Sequence, residues 1–293
     1  MLFWANMRIF KNHTSVLLAL LTAIPACAQW PAHPTPGPRT KAGKVDVAAP
    51  PPRTAEGKPD FSGLWEPARG PGGRGGESMN GTLPLPFAIP TAPDDPPVAQ
   101  FFNIGAGFKD GLLPFTPWAS QIRAQRKADF NKDNPDALCQ PLGLTQLHMH
   151  PQPRKIVQTP REIVILYEAN GNTRQILTDG RKLPDSSATP WWYGYSVGHW
   201  DGDTLVVETT GFRDDVWLDV EGSPLTSTGK MTERWRRLKF GLMQIDITIE
   251  DPKAYTKPFT VRVNHQLMPD ASLMEFVCEE RDATHYVGQA PKK

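Results

Sequence analysis

Cysteine is scarce in this chain: three residues in 293, at positions 27, 139 and 278. No two of them form a Cys-x-x-Cys pair, so the thiolate metal knuckle and the dithiol redox motif are excluded. An excess of either charge is lacking too, with 32 Lys and Arg against 31 Asp and Glu. Only ERWRRLK, Glu233 to Lys239, is locally basic. On a strand its charges alternate between faces, so it offers no concentrated basic surface and nucleic acid is excluded as a partner. Beyond the first 28 residues no apolar run approaches the roughly 20 residues of a membrane-spanning helix. The Gly-x-Ser-x-Gly nucleophile elbow is absent. The glycine-rich run ARGPGGRGGESMNG lacks the Lys-Ser/Thr ending of a phosphate loop.

Proline and glycine are abundant, at 31 and 24 residues, and much of the excess falls before residue 120. The first 28 residues read as an export signal. Arg8 and Lys11 precede the short apolar stretch SVLLALLTAIPA, and Ala26-Cys27-Ala28 forms a small-x-small cleavage site before Gln29. The mature chain is then periplasmic or extracellular. The rival reading makes Cys27 the lipidated residue of a lipoprotein, against which Pro25 is atypical. Residues 29–59, rich in proline and poor in large apolar groups, read as a disordered, polyproline-like tether. Residues 60–282 form a single β-barrel-like domain with a loop and helix insertion over 67–150, and 283–293 are a tail. Cys139 and Cys278 are either a disulfide or two buried thiols.

The insertion holds one credible helix, TPWASQIRAQRKADF, with Thr116 as N-cap, Pro117 at the first position, and Trp118 and Ile122 on one face. The rest reads as strands. KIVQT, EIVILYEA, TRQILTD, DTLVVETT, MTERWRRL, MQIDITIE, FTVRVNHQL and MEFVCEE are short, β-branched or aromatic, and separated by turn residues. With no helices between them they predict an all-β fold: an antiparallel up-and-down barrel or strongly curved meander with one accessory helix. Asp201-Gly202 marks a hairpin turn. Strict alternation puts Ile245, Ile247 and Ile249 on one face, and Phe259, Val261, Val263, His265 and Leu267 on another inward face.

Gly63-x-Trp65 at the first strand resembles the opening of lipocalin-type barrels, in which an arginine packs over the Trp; Arg234, Arg236 and Arg281 are candidates. Taken together, PPRTAEGKPDFSGLWEP, KIVQTPREIVILYE, RQILTDGRKLP and YSVGHWDGDTLVVETTGF resemble an uncharacterised family of secreted bacterial proteins. That resemblance spans most of residues 50–282. It implies a secreted β-rich body and no settled reaction.

The polar focus of the cavity is expected at His199, Glu233 and His265, because an imidazole near a barrel mouth titrates where a modest change of environment alters its role. Trp65, Glu168, Arg174, Trp191, Trp192, Tyr193, Trp200 and Arg234 are the expected ligand-binding side chains. His148 and His150 would need a third ligand, such as His199 or His265, to hold a metal, and Pro151 argues for a loop there, so neither metal nor cofactor is expected. Ser196 and His199 have opposite parity on one strand and make no nucleophilic pair. Asp179 and Arg181 read as a turn-fixing ion pair. The functional expectation is a barrel enclosing a small, partly apolar molecule, aromatic or lipid-like. The alternative is a cofactor-free isomerase, cyclase, lyase or hydrolase using His and carboxylate as acid and base.

Overall fold

A computed structural model describes residues 33–69, 82–185 and 189–278, and from Thr35 onward they belong to one unit. The strands are β1 (Gly63–Pro67), β2 (Arg154–Gln158), β3 (Glu162–Tyr167), β4 (Thr173–Leu177), β5 (Tyr195–Asp201), β6 (Thr204–Thr210), β7 (Val216–Trp217), β8 (Pro224–Leu225), β9 (Lys230–Lys239), β10 (Leu242–Glu250) and β11 (Phe259–Leu267). Nine of them close into a barrel in the order β1-β11-β10-β9-β6-β5-β4-β3-β2, and β7 and β8 form a separate ribbon. The all-β barrel read from the alternation is therefore the architecture. Ile245, Ile247, Ile249, Phe259, Val261, Val263, His265 and Leu267 are all buried.

Three expectations are corrected. First, the barrel is not a pure meander: β4 and β5 pair in parallel, through Ile176↔Ser196 and Leu177↔Val197. The connection over 178–194 is long enough to carry the chain back to the same end, as a parallel pair requires. Second, the described part of MEFVCEE, Met274 to Cys278, is no strand. With β11 already flanked by β1 and β10, the closed barrel offers it no edge, and Cys278 is instead joined to Cys139 by a disulfide across 139 positions. Third, the two-residue turn between β5 and β6 is Gly202-Asp203, since Asp201 still pairs with Thr204. Gly202, at φ 59°, supplies the positive angle.

The expected tether is also overturned from Thr35 on, because residues 35–59 lie on the barrel. The strap is built from two copies of Pro-Arg-Thr-x-x-Gly-Lys-x-Asp, residues 38–46 and 52–60. Each copy closes the same small loop, with Arg39 bridged to Val45 and Arg53 to Pro59. In each, the arginine Nη1 donates to the carbonyl of the glycine four residues on, at 3.3 and 2.7 Å. The first arginine then reaches Asp270 and the second makes a two-pronged bond to Asp203 at 2.9 and 2.6 Å. Between the copies, Phe240 N donates to Ala49 O and Gly241 N to Val47 O. Gly37 passes so close that a Cβ there would sit 2.3 Å from Phe240 Cζ. Composition pointed to disorder because it counts apolar residues. Here backbone bonds and a few side chains, Val45 among them, are enough because the barrel supplies the other half of the interface.

The barrel end under this strap is aromatic. Phe61 stacks on Trp200 with centroids 6.0 Å apart and meets Trp235 edge-on at 5.8 Å, while Trp65 Nε1 donates to Phe61 O at 3.0 Å. The lipocalin-type Arg-over-Trp contact is present, made by Arg237 at 4.8 Å from the Trp65 ring rather than by Arg234 or Arg236. Arg237 shares inward parity with Glu233 and Trp235, whereas Arg234 and Arg236 point outward to Asp201 and Asp246. Arg281 lies outside the described residues.

Helix α1 (Pro117–Ala128) begins as expected, with Thr116 Oγ1 accepting from Ala119 N at 3.2 Å. Its packed face differs: Ala119 is buried with Ile122, Arg123 and Arg126 partly so, while Trp118 is 36% exposed. Arg126 stacks over Trp217 at 4.3 Å, so arginine stems do the covering that an apolar face would do. A short helix, α2 (Leu144–Met149), was not expected. Every one of its six residues is buried.

Candidate functional site

The polar interior is built from alternation on four strands and the last turn of α2. Inward positions place Arg154 on β2, Arg174 on β4, Glu233 on β9 and His265 on β11, and α2 brings His148 among them. Glu233 is the hub. Its Oε1 lies 2.7 Å from His148 Nε2, and Arg174 grips the carboxylate through both terminal nitrogens, Nη1 reaching Oε1 at 3.1 Å and Nη2 reaching Oε2. Arg174 Nη2 also donates to Ser196 Oγ and Thr209 Oγ1, each at 3.1 Å. Arg154 Nη1 and Nη2 donate to the carbonyls of His148 and His150 at 2.7 and 3.0 Å. His265 Nε2 stands 2.7 Å from both Arg154 Nη1 and His148 O, so its tautomer decides which one it engages.

Burial sets the electrostatics. It pushes the Glu233 carboxyl upward, but Arg174 and His148 together more than offset this and hold it at about 2. Burial pushes Arg174 downward, and Glu233 with Tyr167 together more than offset this and raise it. Burial depresses His148, against the pull of Glu233, and drives His265 well below the usual imidazole range, helped by Arg154. Glu233 is therefore ionised at neutral pH and both imidazoles are neutral.

His148 also lines a half-open cleft of about 210 Å³ with Pro67, Ala68, Val98, Ala99, Phe101, Met149, Val263 and Asn264. The cleft exists because β1 is short. It pairs with β11 only over Leu267 to His265, and beyond that the insertion takes its place: Arg262 N donates to Pro97 O and Ala99 N to Arg262 O, both at 2.9 Å. Two buried polar atoms of lining residues have no protein partner, His148 Nδ1 and Asn264 Oδ1.

The expected focus thus divides. Glu233 and His265 are in the interior cluster with Arg174, but His199 faces outward, exposed, because its parity is opposite to that of Ser196 and Gly198. Of the expected ligand-binding side chains, Trp65 and Trp200 belong to the aromatic end. Arg234 is a surface partner of Asp201 at 2.8 Å. Glu168 accepts instead from Met274 N at 3.2 Å. Trp191 is 53% exposed, Trp192 carries Arg213 over its ring at 4.3 Å, and Tyr193 is partly buried. The residues the sequence reading passed over as site members are His148 and Arg154. The signal for His148 was the six-residue run LTQLHM before His150, too short for helical periodicity to register, while Arg154 opens β2 at an inward position. Among the described residues no group of three or more His, Cys, Asp or Glu is placed to hold a metal ion, and no helix is long and apolar enough to cross a membrane. Asp179 and Arg181 form the expected pair at 2.6 Å.

No family model, curated protein or solved structure matches this chain.

Proposed function

We propose that the barrel binds a small, partly apolar molecule in the cleft between the Pro97–Phe101 segment and the end of α2. The observation that carries this reading is His148: it lines the cleft, is fixed on one side by Glu233, and its buried Nδ1 has no protein partner. Buried polar atoms are satisfied in the great majority of folded proteins, so a ligand or water is the natural partner. The cleft is smaller than the roughly 300–1,000 Å³ of sites for drug-sized ligands, which limits the occupant to a single ring or a short chain. Ligand-detected NMR with single-ring compounds tests this on the wild type and on Ala99→Phe, which fills the cleft from a partly exposed position. Hits lost in a variant that melts like the wild type support the site. Hits retained with equal affinity place binding elsewhere.

A second reading, acid/base catalysis, is favoured by the 2.7 Å contact between His148 and Glu233, the arrangement that orients a general base. Export to the periplasm or beyond is the compartment we favour, since the Cys139–Cys278 bond needs an oxidising environment to persist.

A further inference from the structure

The ligand class follows from where the proton on His148 must sit. A nitrogen and a carboxylate oxygen 2.7 Å apart need a proton between them. The Arg174 fork keeps Glu233 an acceptor. The proton is therefore on His148 Nε2, and a neutral imidazole then has a bare lone pair at Nδ1. Arg174 Nη1 lies 3.5 Å from the same Nε2. The reversed tautomer would trade a strong bond to a carboxylate for that weak one, and set two lone pairs against each other. Asn264 Oδ1, the other buried unpartnered atom among the lining residues, is also an acceptor, and the same amide carries the Nδ2 donor. Neither Arg154 nor Arg174 lines the cleft.

Resting on the cleft as the binding site, we propose that it selects hydrogen-bond donors: small molecules that present an O–H or N–H from an apolar body, of which phenols are the simplest. A carboxylate or an ether of the same shape would set lone pair against lone pair at His148. A buried acceptor such as His148 Nδ1 discriminates by being left unpaired when the wrong ligand enters.

The test has two independent arms. Long-range ¹⁵N correlation spectra of the histidine-labelled full chain read the His148 tautomer directly, without substitution. The expected result is a protonated Nε2 and an unprotonated Nδ1; a proton on Nδ1 overturns the proposal. In the second arm, phenol, anisole and benzoate are titrated against wild type and Ala99→Phe. Phenol should bind the wild type at least about 10-fold more tightly than either analogue, shift the Nδ1 resonance, and lose that advantage in Ala99→Phe. Comparable binding of anisole or benzoate in the cleft overturns the donor rule while leaving the cleft as a site. Failure of all three to bind removes the cleft as a binding site, and the rule with it.

Discussion

Replacing Glu233 by Gln keeps the shape of the hub and removes its charge, leaving the Arg174 guanidinium inside the barrel with no anion. Both groups are essentially inaccessible, at 1% and 0% side-chain exposure, so solvent cannot take over the lost partner. Breaking a buried pair by removing one member costs about 3–5 kcal/mol, a large share of the roughly 5–15 kcal/mol that holds a domain folded. At about 2–4 °C per kcal/mol for a domain of this size, the melting temperature should fall by about 6–20 °C. The pH dependence has a definite sign. The folded carboxyl is held at about 2 against an ordinary 4.5, so the unfolded chain takes up the proton first as pH falls. Its contribution is complete above the ordinary value and is lost between there and about 2, on the order of 3 kcal/mol. The gap between wild type and Glu233→Gln should therefore close in that window. Replacing Arg174 and Glu233 together by Met should cost less than the two single changes combined, by about 2 kcal/mol or more. Calorimetry on wild type, Glu233→Gln, the two single Met variants and the double Met variant decides it. A Glu233→Gln variant melting within about 2 °C of wild type at neutral pH, or strict additivity in the double variant, refutes the hub.

Asp136 carries the opposite sign: burial raises its carboxyl to about 6, only partly offset by Asn170, and its Oδ2 accepts no hydrogen bond, with His150 Nε2 no nearer than 3.9 Å. Ionising it therefore costs stability as pH rises from the ordinary 3.8 to about 6. Asp136→Asn should raise stability by about 1–3 kcal/mol at pH 8 and by almost nothing at pH 4, read from denaturant midpoints at the two pH values. Reducing the Cys139–Cys278 bond opens a loop of 139 positions, and stability should fall by about 4–5 kcal/mol in the chain-entropy model; unchanged melting in reductant would show that the segment before Cys278 contributes no constraint. His199→Ala, on the exposed outer face, should leave stability within about 0.5 kcal/mol and leave cleft binding unchanged in the same NMR titration.

The barrel was readable because period-two alternation depends only on which face a side chain takes, and that is a property of each strand alone. β10 and β11 came out as expected down to the inward identity of His265. Failures gathered where the answer depends on contacts between distant segments. The parallel β4–β5 pairing joins two strands that a long connection separates, and neither strand alone reveals its direction. The strap over 35–59 was discounted for its few apolar residues, although its repeat, Pro-Arg-Thr-x-x-Gly-Lys-x-Asp, stood in the sequence twice. What no composition rule reveals is that each arginine finds an aspartate on the barrel 231 or 150 positions away.

The site divides along the same line. Inward parity placed His265, and the structure brings it together with Glu233 and Arg174, since an ionisable residue at an inward position must find a partner inside. Parity also argues against His199. With Ser196 pointing inward, a regular strand sends His199 outward, and the nearby hairpin drew attention to it without changing that geometry. His148 is the reverse case: no strand period places it, because it sits on α2. Its partner is nonetheless deducible in kind. A buried carboxylate on β9 flanked by a single arginine fork still has lone pairs to satisfy. The donor that meets them comes from the buried helix LTQLHM, whose His148 reaches Glu233 Oε1.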